Sequence, residues 1–290
     1  MREVTLSTAQ QIIKTRREKK SHLSAITSKD LMCIYQSLKK IPGKPNFKNV
    51  EKLLPEKQRV SMKCENNPIL AVIIETRKHP LLEFVVLQLI IKTNLPVQIF
   101  HGIENESFIR SSAINDYVKC NKVFLSKLNA NSLDASDYNG ILLSCKFWNL
   151  LNGRDKILIF QTDSILCNNS TYNLCTFLDF DYIGSMWPRL RPIGITIDGG
   201  NGGLSLRSWE RSVECLERFP PTFWPGGEDG YYGFHLELIG AKVGKDVDCA
   251  KFSTQSYFRY KSFGAHKISS LSRIDQDAFI QYCPEAKKLL

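Results

Sequence analysis

The clearest feature of the chain is an unbroken apolar run, Ile69-Leu70-Ala71-Val72-Ile73-Ile74, rich in β-branched side chains. A strand with one solvated face alternates apolar and polar residues. A run with no polar member belongs to a strand covered on both faces. Comparable short runs recur at 97–100, 122–125 and 156–161. Between them the apolar residues fall at helical spacing, which predicts helices over 79–93, 106–117 and 138–151. The last presents Leu142, Leu143, Phe147 and Trp148. Strands and helices alternating in this way predict an α/β fold with a mostly parallel, doubly wound sheet flanked by helices. Such sheets bind ligands beyond the C-terminal ends of their strands. The ends of the first and fourth strands, Glu75-Thr76-Arg77 and Gln161-Thr162-Asp163, are therefore expected in one crevice. After Asp181-Tyr182-Ile183-Gly184 the backbone turns irregular, and one further strand is expected at Asn201–Arg207.

Upstream of this pattern, Ser7 with Gln10 three residues later predicts a helix over 7–21. Leu31, Ile34, Tyr35 and Leu38 predict another over 28–40, stopped by Ile41-Pro42-Gly43-Lys44-Pro45. Neither has enough apolar surface to stand alone, so both are expected to dock on the main domain. The organisation is then a helical extension over 1–66, a main domain over 67–268 and a helical tail over 269–290.

Charge sharpens that division. Residues 1–66 hold 15 Lys and Arg against 6 Asp and Glu, a balance of +9. The rest of the chain is almost neutral within a total of +10. A basic extension favours an acidic partner such as nucleic acid, a phosphorylated surface or anionic lipid, and equally serves as a solvated cap. Hydrophobic residues at 43% and charged residues at 23% are ordinary for a soluble globular protein. No apolar run reaches the ~20 residues of a membrane span, and the first residues lack the core of a secretory signal. Nine cysteines, without a Cys-x-x-Cys pair, read as free thiols in a reducing, cytoplasmic setting without structural zinc.

Candidate chemistry gathers in a few places. Asp163 follows an apolar strand and offers the oxygen ligand that a hard divalent cation prefers, with Gln161 two residues earlier on the same face. Glu228-Asp229 follows Pro225-Gly226-Gly227 and opens a helical segment, where a helix start stabilises negative charge. One of these carboxylates can act as a general base towards a hydroxyl while the other hydrogen-bonds a sugar. His266, in Phe263-Gly264-Ala265-His266-Lys267, can close a metal site with Lys267 beside a diphosphate. Arg77 lies just past the first strand, in position for nucleotide phosphate. Asn201-Gly202-Gly203 lacks the lysine of a phosphate-binding P-loop, and no Gly-x-Gly-x-x-Gly or Gly-x-Ser-x-Gly is present.

Taken together, Ile74-Glu75-Thr76-Arg77, Ser136-Asp137-Tyr138-Asn139, Phe147-Trp148-Asn149, Phe160-Gln161-Thr162-Asp163-Ser164, Asp181-Tyr182-Ile183-Gly184 and Asn201-Gly202-Gly203-Leu204-Ser205-Leu206-Arg207 resemble an uncharacterised family of glycosyltransferase-like domains. The resemblance spans about Ile69 to Lys267. More distantly, Asn201–Arg207 and Gly226-Gly227-Glu228-Asp229 are similar to motifs of β-1,4-galactosyltransferases. That resemblance implies a GT-A fold, a divalent metal (manganese most often, magnesium as an alternative) and a nucleotide-sugar donor such as a UDP-sugar. Carried over by position, Asp163 and His266 become metal ligands, Asp229 the base and Glu228 the sugar-binding acid. Thr76, Arg77, Asp137, Gln161, Asn201, Gly202, Gly203 and Lys267 become the donor-binding set. Gln161 replaces the first acid of the Asp-x-Asp motif. Pro225 replaces the tryptophan before Gly-Gly, with Trp224 one place earlier.

The expected activity is inverting, metal-dependent transfer of a sugar to an acceptor hydroxyl on a glycan, a protein or a nucleic acid. Two alternatives stand beside it: transfer onto nucleic acid held by the basic extension, and a non-catalytic GT-A-like binding module.

Overall fold

The structure is a computed structural model that describes residues 28–38, 44–56, 68–151, 155–188 and 197–290. The helix expected over 7–21 lies outside the described residues. Two helices, α1 (Ser28–Ser37) and α2 (Phe47–Leu53), precede β1 (Ile69–Glu75). They are followed by α3 (Leu82–Thr93), β2 (Val97–His101), α4 (Glu106–Arg110), α5 (Ile114–Lys119) and β3 (Val123–Lys127). Next come α6 (Ala135–Leu142), α7 (Cys145–Asn149), β4 (Lys156–Phe160), β5 (Ser164–Leu166), β6 (Tyr182–Ser185) and β7 (Asn201–Ser208). The chain continues through α8 (Trp209–Arg218), α9 (Glu228–Leu238), α10 (Asp246–Phe252), β8 (Ser253–Thr254), β9 (Gly264–His266) and α11 (Arg273–Tyr282).

Six strands form a central sheet in the order β3-β2-β1-β4-β7-β6. The pairs β3–β2, β2–β1 and β1–β4 are parallel, whereas β7 runs antiparallel to both β4 and β6. The mostly parallel α/β architecture expected from the apolar runs is therefore present. The Asn201 strand is its one reversed member.

Alternation along the strands builds two cores. Leu70, Val72 and Ile74 of β1, with Ile157 and Ile159 of β4, point to the layer of α1, α2 and α6–α9. Ala71 and Ile73, with Leu158 and Phe160, point to the layer of α3–α5 and α10. Both faces of β1 are covered, which is why no position in it tolerates a polar residue before Glu75. The expected docking of the 28–40 helix is also visible. Ile34, Tyr35 and Leu38 are buried, and the Tyr35 hydroxyl lies 2.5 Å from His235 Nε2 on α9.

Two expected helices are broken in two. Over 106–117, the Ser111 and Ser112 hydroxyls donate to the Phe108 and Ile109 carbonyls at 2.9 and 2.7 Å, taking acceptors that the helix would use. Over 138–151, the Leu142 carbonyl is claimed by Trp148 Nε1 at 2.9 Å and by the Tyr232 hydroxyl at 2.8 Å. Ser144 is then extended and starts α7. A small sheet, β5-β9-β8, was not expected from the sequence. Its three strands are too short to register as periodicity. The tail carries α11, whose Phe279 and Tyr282 pack with Ile165 and Ala265 of this sheet.

Candidate active site

The strand order puts the site where it is. From β1 the chain moves outward to β2 and β3, then returns to add β4 on the other side of β1. That reversal opens a crevice beyond the C-terminal ends of β1 and β4. A cavity of about 420 Å³ fills it, lined by Thr76 and Arg77 from one strand and by Gln161 and Asp163 from the other. A second cavity of about 550 Å³ adjoins it, lined by Asn201, Gly202, Gly203, Asp229, His266 and again Gln161. Leu133, Tyr138 and Gln161 wall both, so the two are chambers of one cleft.

Register brings distant residues to this cleft. In the β4–β7 pair Phe160 lies opposite Leu204, which sets Asn201-Gly202-Gly203 just past the end of β4. In the β5–β9 pair Ser164 lies opposite His266. Asp163 Oδ1 consequently sits 3.2 Å from His266 Nε2, and Gln161 Oε1 lies 3.1 Å from the same nitrogen. His266 is buried, with Nδ1 facing Gln255 Oε1 at 3.3 Å. Burial pushes the Asp163 carboxyl up. The hydrogen bond and charge of His266, helped by Lys267, outweigh it and hold the group below the usual aspartate range.

Asp163, His266 and Gln161 are the residues that could hold a divalent cation here, although no cluster of three or more His, Cys, Asp or Glu side chains gathers among the described residues. Asp163 Oδ1 is shielded from solvent, and the His266 ring is the group it faces. A carboxylate oxygen and an amide oxygen thus both lie within 3.2 Å of one imidazole nitrogen. Oxygen and nitrogen donors of this kind accept manganese or magnesium and leave coordination positions for phosphate oxygens.

Across the cleft, α9 opens with Glu228 and Asp229. Asp229 Oδ2 accepts from Asn201 Nδ2 at 2.9 Å and Oδ1 accepts from the Gly230 amide at 2.7 Å. Asn201 Oδ1 in turn accepts from the Gly203 amide at 3.0 Å. Burial and the neighbouring Glu228 charge raise the Asp229 carboxyl from 3.8 to about 6, against the opposing pull of the Gly230 amide and Arg207. The two glycines of β7 are required by what packs on them. A Cβ at Gly202 would collide with the Glu228 carboxylate, and one at Gly203 with the His266 ring. Gly202-Gly203 is the floor on which the acidic pair and the candidate metal histidine both rest.

Several expected roles need correction. Glu228 is not free to bind a sugar. Both its oxygens are taken by Arg207, through Nη1 and, at 3.0 Å, Nη2, in a fully buried pair. The Tyr182 and Tyr232 rings lie 5.1 and 5.2 Å from that guanidinium, and Ser205 Oγ accepts from its Nε at 3.0 Å. Burial works against the Arg207 charge, but Glu228 more than compensates, so the group stays protonated. Asp137 lines neither chamber. It faces Asn46 at 3.4 Å, while Asp134 and Asn139 of the same segment reach the cleft. Lys267 is exposed and lines neither chamber, although its backbone amide donates to the Asp163 carbonyl at 3.0 Å. Arg77 lines the first chamber with its guanidinium forked onto Glu75 at 2.8 Å through both Nε and Nη2, so it brings no uncompensated charge to phosphate. Asn201 lines the second chamber with its side chain held between Asp229 and the Gly203 amide.

Sequence reasoning also missed members of the site. Tyr138, Asn139, Gln255 and Trp187 all line the second chamber, and Asn139 Oδ1 accepts from the Glu228 amide at 3.1 Å. Arg207 carried a usable signal: a charged residue inside the apolar strand Leu204-Ser205-Leu206-Arg207 must find a counter-charge when buried. Tyr138 and Asn139 lie on α6 within a motif of the resemblance, whereas Gln255 and Trp187 carried no signal, because loop geometry alone brings them to the site.

The fold and cleft define an α/β protein with a candidate ligand site at the switch point of its sheet. The chain belongs to the family described as "Protein of unknown function (DUF5672)", whose model matches residues 122–266. That span runs from the start of β3 to His266 and contains Asp163, Asn201–Gly203 and Glu228-Asp229; its description assigns no activity. No match is found among curated proteins. Among solved structures, one similar chain is described as a glucose-1-phosphate thymidylyltransferase from Bacillus anthracis. It shows 9% identity, a TM-score of 0.37 and coverage of 61% of this chain and 86% of that one. Another is a nucleoside-diphosphate-sugar pyrophosphorylase from Vibrio cholerae, with 11% identity, a TM-score of 0.38 and coverage of 60% and 90%.

Proposed function

We propose that this protein is a metal-dependent glycosyltransferase that moves a sugar from a nucleotide-sugar donor to an acceptor hydroxyl with inversion. The observation that carries this reading is the position of Asp163 with His266 and of Asp229 on two sides of one cleft, joined by the Gly202-Gly203 floor. Asp163, His266 and Gln161 are the residues that would hold a divalent cation, which when bound supplies positive charge for a departing diphosphate. The chamber between the ends of β1 and β4 takes the nucleotide, and the chamber around Asp229 takes the acceptor.

In this reading Asp229 removes the proton from the acceptor hydroxyl. The acceptor oxygen bonds to the anomeric carbon while the bond from that carbon to the phosphate oxygen breaks, and the nucleoside diphosphate departs. A base whose pKa lies near 6 is largely ionised at neutral pH and still strong enough to take up a proton as the attack proceeds. Asn201 and the Gly230 amide each donate to one oxygen of the carboxylate, and the Gly202 amide adds to them, fixing its plane. Glu228 and Arg207 act at one remove, by locking the first turn of α9 to β7.

The test is a thermal-shift panel of UDP-glucose, UDP-galactose, GDP-mannose and dTDP-glucose, each with and without manganese. Hydrolysis of whichever nucleotide sugar stabilises the protein is then assayed. Metal-dependent stabilisation by at least one nucleotide sugar, with slow release of its sugar, is the expected result. Absence of stabilisation by all four would overturn the reading.

A further inference from the structure

The two chambers are lined differently. The first is walled mostly by polar residues, whereas the second brings Leu133, Trp187, Pro188 and Ile197 to the space that also holds Asp229. Trp187 is half-buried, and the backbone before it is clamped. Ser185, the last residue of β6, pairs with Asn201, whose side chain holds Asp229. The Met186 amide then donates to the Ser253 carbonyl at 3.0 Å, and the Met186 carbonyl accepts from Ser256 Oγ at 3.3 Å. Trp187 is thus carried to the chamber wall on the side of Asn201 and Asp229.

Charge narrows what this chamber accepts. Its described lining residues include the carboxylates of Asp134, Glu228 and Asp229, and no lysine or arginine. Arg207 neutralises Glu228, which leaves Asp134 and Asp229 to repel phosphate. A nucleic acid is held chiefly by lysine and arginine on its phosphates, so this wall is the wrong one for it. A pyranose has the complementary shape. Its ring C–H bonds make a flat apolar face and its hydroxyls surround the edge, which suits an apolar, aromatic wall carrying a few placed polar groups. A serine or threonine side chain presents no such face.

We propose that the acceptor is an uncharged glycoside whose pyranose ring stacks on Trp187, with the hydroxyl to be glycosylated directed at Asp229. This rests on the glycosyltransferase reading and names its acceptor class.

The test supplies wild type with manganese, the nucleotide sugar that stabilises it, and one candidate acceptor at a time. The candidates are the methyl glycosides of β-glucose, β-galactose, N-acetyl-β-glucosamine and α-mannose, a serine- and threonine-containing peptide, and DNA and RNA oligonucleotides, with products read by mass spectrometry. Transfer to at least one glycoside, and to neither the peptide nor the oligonucleotides, is expected. Transfer to no glycoside would overturn the inference; transfer to the peptide or an oligonucleotide instead would do so while the proposed function stands. With the accepted glycoside, Trp187→Ala should raise KM about tenfold, the loss expected for one aromatic contact, while calorimetry gives wild-type affinity for the nucleotide sugar. Trp187→Leu keeps apolar bulk in the wall and removes the flat ring, so it should raise KM in the same way even if the alanine variant fails to fold. An unchanged KM in the leucine variant would overturn the inference. Matching losses of nucleotide-sugar affinity and acceptor KM would make Trp187 a support of the whole cleft and overturn it as well. Failure of wild type to bind any of the four nucleotide sugars would remove the proposed function and this inference together.

Discussion

Asp229 is held between influences of opposite sign. Burial and Glu228 raise its pKa to about 6, while the Gly230 amide and Arg207 lower it. If it is the base, turnover should climb as pH rises through about 6 and level off above it. Asp229→Asn should cut turnover by about 10²–10⁴-fold, the usual worth of a positioned base, while leaving nucleotide affinity close to wild type. Kinetics over pH 5–8 with the stabilising nucleotide sugar check both outcomes; an unchanged rate in the variant removes Asp229 from the mechanism. Glu228 obeys a different logic. Its carboxylate is fully buried against Arg207, so Arg207→Ala leaves an uncompensated charge and should cost about 3–5 kcal/mol in denaturant unfolding. The adjacent acids thus divide their work: Glu228 secures the helix, and Asp229 faces the cleft. That division was not legible in the sequence. Both residues look alike at a helix start, and only the opposition of Arg207 across β7 separates them.

At the scale of elements, β7 is the piece that joins the two halves of the site. Its first residues meet Glu228 through Gly202 and His266 through Gly203. Gly203→Ala should push the buried His266 ring away from Asp163 and so weaken manganese-dependent stabilisation by the nucleotide sugar, at an overpacking cost of about 1–3 kcal/mol to the fold. A thermal shift with and without manganese decides this, and an unaltered manganese dependence would contradict it. The elements themselves were legible to different depths. Runs such as Ile69–Ile74 announce central strands because both faces are covered, and the crevice between Thr76 and Asp163 follows from their order. The break between α6 and α7 was hidden because Trp148 and Tyr232 claim the Leu142 carbonyl only once the fold is assembled. The β5–β9 pairing was equally hidden, although it is what sets Asp163 beside His266. Sequence context nominated those two residues and the resemblance paired them; the strand pairing that puts them in contact was not legible.

At the scale of the whole molecule, α9 ties the cleft to the docked N-terminal helix. Its first turn carries Asp229 and its last carries His235, which faces the Tyr35 hydroxyl of α1. These two groups make opposite demands on pH. Burial lowers the His235 imidazole from 6.5 to about 3, despite the bond to the Tyr231 carbonyl. The unfolded chain therefore binds a proton there that the fold excludes. The contribution of His235 is complete above pH 6.5 and is lost as pH falls towards 3. Asp229 runs the other way. Its folded pKa is raised from 3.8 to about 6, so its contribution is complete below pH 3.8 and is lost as pH rises through about 6. Between pH 6.5 and 4 acidification thus removes stability at one end of α9 and restores it at the other. The lowered carboxyl of Asp163 loses stability only as pH falls below the usual aspartate value, outside that window. Asp229→Asn should expose the His235 limb. At pH 7 the variant should be more stable than wild type by about 1–2 kcal/mol, a figure discounted for the partial solvent exposure of the carboxylate. At pH 4 the two proteins should converge. The fall in melting temperature from pH 7 to pH 4.5 should then be several degrees larger in the variant, at about 2–4 °C per kcal/mol for a protein of this size. Parallel melting curves for the two proteins across that range would show that Asp229 titrates as an ordinary surface carboxylate, and would take with it the case for a tuned base.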